Sequence, residues 1–97
     1  MRLVWQSHAN AELRAAVQFY RDNAGHNIAG DFGDSVTSTA ERLLEFPGMG
    51  ARIARDIHRI PLRDYPYSLI YRQTPSEIIV IALAHQRQRP GYWRERR

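Results

Sequence analysis

The sequence predicts an α+β domain in the order β-α-α-β-β-β, a helical hairpin packed on a small, mostly antiparallel sheet. Three observations carry that prediction. Two stretches before residue 47 repeat apolar residues at helical spacing. Short runs rich in Ile, Val and Tyr occupy the second half, separated by Pro- and Asp-containing turns. The last of these, Glu77 to Ala84 (EIIVIALA), is apolar without alternation from Ile78 onward. A strand covered on both faces has that pattern, so this one is expected at the centre of the sheet. With 97 residues and no linker, repeat or low-complexity segment, the chain reads as one domain, 1–97.

Taken in order, Arg2 to Gln6 is a short strand with Leu3 and Trp5 on one face. Ser7 is the expected N-cap of the first helix. In that helix Leu13, Ala16, Val17 and Tyr20 share a buried stripe, while Glu12, Arg14, Gln18 and Arg21 lie mostly away from it. Asp22 to Asn27, with Gly25, breaks the helix. A second helix starts near Asn27 or Ile28, buries Phe32, Val36, Thr39, Ala40 and Leu43, and stops at Phe46 before Pro47. So short a connection predicts an antiparallel hairpin. Residues 48 to 56 read as a loop with Arg52 and Arg55 exposed. Ile57 to Leu62 reads as a strand that Pro61 places at an edge or ends early. Asp64 to Pro66 turns the chain into Tyr67 to Arg72, and Gln73 to Ser76 closes a hairpin onto the apolar strand.

The basic residues are all Arg, 14 of them, with no Lys. Residues 1 to 84 hold nine Arg against nine acids, and His85 to Arg97 hold five Arg and one Glu, so the net +4 resides in the tail. Guanidinium groups suit phosphate or carboxylate partners, and the tail is a candidate contact surface for nucleic acid or an acidic protein. A merely solvated tail is the alternative. Tyr92 and Trp93, after Pro90-Gly91, would either stack on bases or pin the tail to the body. Because the predicted core elements end at Ala84, loss of residues 86 to 97 is expected to cost little burial.

Cysteine is absent, which excludes a disulfide framework and a thiolate metal site. His8, His26 and His58 are scattered without ligand spacing, so no metal and no cofactor are expected. Gly48-x-Gly50 lacks the strand and helix that would make it a phosphate loop. No signal-peptide pattern and no membrane-length apolar run are present, and a cytoplasmic location is expected.

The order of elements, with Trp5-x-x-x-Ala9-x-x-x-Leu13, LLEFPGMG at 43 to 50, LRDYPYSLIYR and EIIVIALAHQRQRPGYW, resembles the RelE/ParE superfamily of type II toxin–antitoxin toxins over essentially the whole chain. The resemblance implies a toxin held in a hetero-oligomeric complex by a cognate antitoxin. ParE-like members inhibit DNA gyrase and are not nucleases. RelE-like members cut mRNA on the ribosome. A nuclease must deprotonate a 2′-hydroxyl, neutralise the phosphate and protonate the leaving oxygen. On that reading His85, Arg87 and Tyr92 would be catalytic. The superfamily's Tyr-Arg-apolar-apolar-Tyr strand, however, reads Tyr67-Ser68-Leu69-Ile70-Tyr71 here, without the Arg. The loop lysines of nuclease members have no counterpart, and a guanidinium cannot act as a base. The ParE-like reading, not an enzyme, therefore leads, with gyrase contacted through Arg87, Arg89, Tyr92, Trp93 and Arg94. A non-toxic member with a degraded active surface is a third reading. The antitoxin is expected to be acidic and to meet the sheet edge at Ile57, Ile60 and Leu62, with a helix laid between the two amphipathic helices.

Overall fold

A computed structural model of the chain describes residues 1–96. The first strand, β1 (Arg2–Trp5), leads into α1 (Ser7–Ala24), and a single residue, Gly25, separates it from α2 (His26–Glu45). Gly25 sits at φ 93°, a left-handed conformation in which a side chain is strained, so one glycine suffices to reverse the chain. The helices run antiparallel: Val17 lies beside Gly33, and the ring of Tyr20 meets that of Phe32 at 4.8 Å. Ser7 is the first helical residue and not the cap. Gln6 takes the N-cap position with extended backbone, its carbonyl accepting the Asn10 N–H at 2.9 Å, and no side chain caps the end.

Five strands form one sheet in the order β1-β5-β4-β3-β2. β1 pairs parallel with β5 (Glu77–His85) from Arg2 opposite Glu77 to Trp5 opposite Val80. The remaining pairs, β5 with β4 (Tyr67–Gln73), β4 with β3 (Ile57–Pro61) and β3 with β2 (Ala51–Arg52), are antiparallel. The middle position belongs to β4. The apolar strand β5 is interior but lies second from the β1 edge, a correction to its expected central place. The segment 48–56 is likewise more than a loop. Two residues of it form β2 against His58 and Arg59, so β3 is an edge only beyond Arg59. A two-residue strand carries no alternation by which a sequence could reveal it.

Register explains why β5 lacks alternation. Ile70 pairs with Ala82 but Tyr71 pairs with Val80, leaving Ile81 as an extra residue in a β-bulge. The bulge turns Ile81 and Ala82 to the same side, where they join Ile57, Ile70 and Trp93. On the helical side Leu69, Val80 and Leu83 pack against Ala9, Ala16, Phe32, Val36 and Ala40. Both faces of β5 are thus covered, one by the hairpin and the other by the tail.

The turn after α2 is fixed by Tyr71. Its hydroxyl donates to the Pro47 carbonyl at 2.7 Å and accepts the Gly50 N–H at 3.0 Å. A Cβ on Gly50 would lie 2.7 Å from that hydroxyl and 3.0 Å from the Arg59 carbonyl, so the close approach requires glycine. On the other side of the molecule Tyr65 hydrogen-bonds Asp31, tying the β3–β4 turn to α2.

Candidate functional site

The chain leaves β5 in a tight turn that His85 itself closes. The His85 N–H donates to the Gln88 side chain at 2.7 Å, and its ring Nδ1 accepts the Arg87 N–H at 3.0 Å. The Gln86 N–H donates to the Pro66 carbonyl, and the imidazole stands edge-on to Tyr67 at 4.9 Å. Gly91, at φ 77°, then bends the tail back over the sheet, where a short 3-10 turn, Arg94–Arg96, ends the described chain. Arg97 lies outside the described residues.

This return places Trp93 against Ile57, Ile70, Ile81 and Ala82 with 5% of its surface exposed. Trp93 is therefore a core residue. The expectation that losing residues 86 to 97 costs little burial is overturned, because the truncated chain would open Ile57, Ile70, Ile81 and Ala82 to water.

Beside Trp93 the tail is held by one carboxylate. Glu12, on α1, accepts hydrogen bonds from Arg96 Nη1 at 2.8 Å and Nη2 at 3.1 Å, and from the Tyr92 hydroxyl at 2.7 Å. It also accepts the Leu83 N–H at 3.1 Å. Arg96 Nη1 donates in addition to the Ile81 carbonyl at 3.2 Å, and its guanidinium lies over the Tyr92 ring at 5.0 Å. The side chains of Arg96 and Glu12 are only 17% and 20% exposed. Burial, and then the hydrogen bond to Glu12, push the Tyr92 hydroxyl pKa up. The Glu12 partner likewise raises Arg96. Glu12 was expected on the solvent side of the helix. Its position three residues after Ala9 and four before Ala16, both buried, was the signal that it sits on the apolar stripe.

Between the tail and the ends of β3, β4 and β5 lies a groove of about 260 Å³, lined by Arg59, Ser68, Ile70, Gln86, Gln88 and Arg89 among others. Ser68, at the position where Arg is expected in a nuclease, is buried on the groove wall. Arg89 lines the groove, Arg87 and Arg94 are likewise exposed on the tail, and Arg94 lies 5.8 Å from the Trp93 ring. Of the expected catalytic trio, His85 and Arg87 meet only through the imidazole and a backbone N–H, while Tyr92 turns its hydroxyl to Glu12. Of the expected gyrase-contacting set, the three arginines face solvent, Tyr92 is half-buried and Trp93 is enclosed. Of the expected antitoxin-contacting set, Ile57 and Leu62 are buried in this chain's own core and Ile60 is half-buried. Among the described residues no three of His, Asp and Glu gather into a potential metal site. No described helix is long and apolar enough to cross a membrane.

Comparison with known proteins supports the same fold. A solved structure of the chromosomal ParDE toxin–antitoxin system from P. aeruginosa superimposes with a TM-score of 0.78 at 22% identity, covering 88% of this chain and 95% of that one. No curated protein sequence matches the chain. The family model for the ParE toxin of the type II toxin–antitoxin system, parDE, matches residues 3–90, which include β1 from Leu3 onward, the helical hairpin, β2 to β5 and the arginine-bearing turn up to Pro90. The chain belongs to the ParE toxin family of type II toxin–antitoxin systems.

Proposed function

We propose that this toxin acts in the cytoplasm by binding the DNA gyrase–DNA complex through the arginines of its tail turn, Arg87, Arg89 and Arg94, and that it does not cut RNA. The supporting observation is the commitment of the tail's proton-carrying groups. The Tyr92 hydroxyl donates to Glu12, and His85 Nδ1 closes the turn at Arg87. Beside the His85 ring, whose Nδ1 is committed, the exposed polar groups lining the groove are the guanidinium of Arg59 and Arg89 and the amides of Gln86 and Gln88, groups that bind phosphate or carboxylate but take no proton from a 2′-hydroxyl. Ser68, buried in the groove wall, supplies neither the charge nor the reach of an arginine there.

The antitoxin of the pair is, on this reading, an acidic chain whose segment lies along the helices and reaches the β3 edge beyond Arg59, where β2 no longer covers it. With Ile57 and Leu62 buried, that edge offers backbone groups and Ile60. The deciding experiment adds purified toxin to gyrase supercoiling reactions and, in parallel, to translating ribosomes. Inhibited supercoiling with intact mRNA is expected. Fresh cuts in ribosome-bound mRNA with gyrase unaffected would overturn the proposal.

A further inference from the structure

Beyond Trp5, β1 has ended, and the backbone of β5 from Ile81 to Leu83 has no strand beside it on that side. Side chains take the strand's place. The Ile81 carbonyl accepts from Arg96, the Leu83 N–H donates to Glu12, and the Tyr92 hydroxyl sits 3.5 Å from the Leu83 carbonyl. One carboxylate therefore joins three elements that are distant in sequence: the first helix, the unpaired run of β5 and the tail. Among the described arginines of the tail, Arg96 faces inward, while Arg87, Arg89 and Arg94 face solvent. The family match ends at Pro90, before Tyr92, Trp93 and Arg96.

We propose that Glu12 is the positioning residue of the toxin's cationic turn: by holding Tyr92 and Arg96 against the open run of β5, it fixes where Arg87, Arg89 and Arg94 are presented to the target. The turn runs between two anchors. His85 fixes its start through hydrogen bonds to Arg87 and Gln88, and the Glu12 cluster fixes its end. A loop held at both ends presents its charges in one arrangement, whereas a loop held at one end must order itself on binding and loses affinity accordingly. Neutralising Glu12 leaves Arg96 half-buried without its counter-charge, which detaches the end anchor. The inference rests on the reading of the tail turn as the target-contacting surface.

The test uses the full-length chain with Glu12→Gln and, as a second variant that leaves α1 untouched, Arg96→Gln. Amide hydrogen exchange on the purified proteins reports the tail, and the inducer level needed for growth arrest, at matched protein amount, reports activity. In both variants exchange across residues 86 to 96 should accelerate roughly tenfold, the factor for losing one charge-assisted hydrogen bond, with α2 and β1 unchanged. The arresting dose should rise by a similar factor. Tyr71→Phe, destabilised at the distant α2 turn, should keep its full potency, which separates positioning from loss of folded protein. Unchanged tail exchange in both variants would overturn the role of Glu12. So would a freed tail with undiminished arrest, provided that Arg87→Ala with Arg89→Ala abolishes arrest. If that double variant still arrests growth, the tail reading itself fails and carries the inference with it, whatever the exchange data show.

Discussion

The carboxylate of Glu12 and the guanidinium of Arg96, 84 positions apart in the chain, meet through two hydrogen bonds of 2.8 and 3.1 Å. That pair makes the tail part of the folded body. A stretch that composition presents as a charged appendage ends instead with an aromatic side chain in the core and an arginine in a partly buried ion pair. Among the described residues the tail's arginines divide accordingly, with Arg96 matched by Glu12 and Arg87, Arg89 and Arg94 exposed.

Trp93→Ala should be among the most destabilising single substitutions in the second half of the chain. It uncovers Ile57, Ile70, Ile81 and Ala82 at once. Aromatic-to-alanine changes in cores cost about 3–5 kcal/mol. Chemical denaturation should show a loss in that range, and Arg87→Ala should stay within about 0.5 kcal/mol of the parent. A loss below about 1 kcal/mol for Trp93→Ala would mean that the tail does not cover the sheet.

Tyr71→Phe keeps the ring but removes the hydroxyl that joins Pro47 to Gly50. The Gly50 N–H, enclosed by that ring, is then left without an acceptor, which costs about 1–3 kcal/mol. Gly50→Ala should cost more, because its Cβ would press on the Tyr71 hydroxyl and on backbone at Arg59. Denaturation midpoints of the two variants check the order.

Alkaline pH should unfold this domain early. The chain has five tyrosines, and burial or a carboxylate partner raises all of them from the ordinary value of 10.0, Tyr65 to about 12 through its hydrogen bond to Asp31. A group that holds its proton more tightly when folded contributes stability that is complete below 10.0 and is lost as pH rises toward the folded value. The melting temperature should therefore be flat with respect to tyrosine ionisation up to about pH 9 and fall between pH 10 and 12. Tyr92→Phe should shallow that fall, since burial and Glu12 both keep its hydroxyl protonated.

Much of the architecture was legible in the residues. The helical stripes at Leu13, Ala16, Val17 and Tyr20, and at Phe32, Val36, Ala40 and Leu43, are the faces the helices bury. The strands after Asp56 start where β-branched and aromatic runs start. What escaped were features set by tertiary pairing: β2, which is two residues long, and the bulge at Ile81, which only register reveals. The candidate site was half legible. The exposed arginines follow from composition, but the inward turn of Trp93 and Arg96 depends on Gly91 bending the tail across the sheet and on Glu12 waiting on α1. A charged residue between two buried alanines was the available clue, and spacing alone does not say which distant group it will meet.

The most direct test of the toxin's working surface is Arg87→Ala combined with Arg89→Ala, expressed without antitoxin and then pulled down with it. Both side chains are exposed and neither supports the core, so the denaturation midpoint should hold. The variant should fail to arrest growth and still co-purify with the antitoxin, as the proposed docking along the helices and the β3 edge requires. Full growth arrest by the double variant would contradict the account, and loss of the complex would show that the antitoxin neutralises the toxin by covering those arginines.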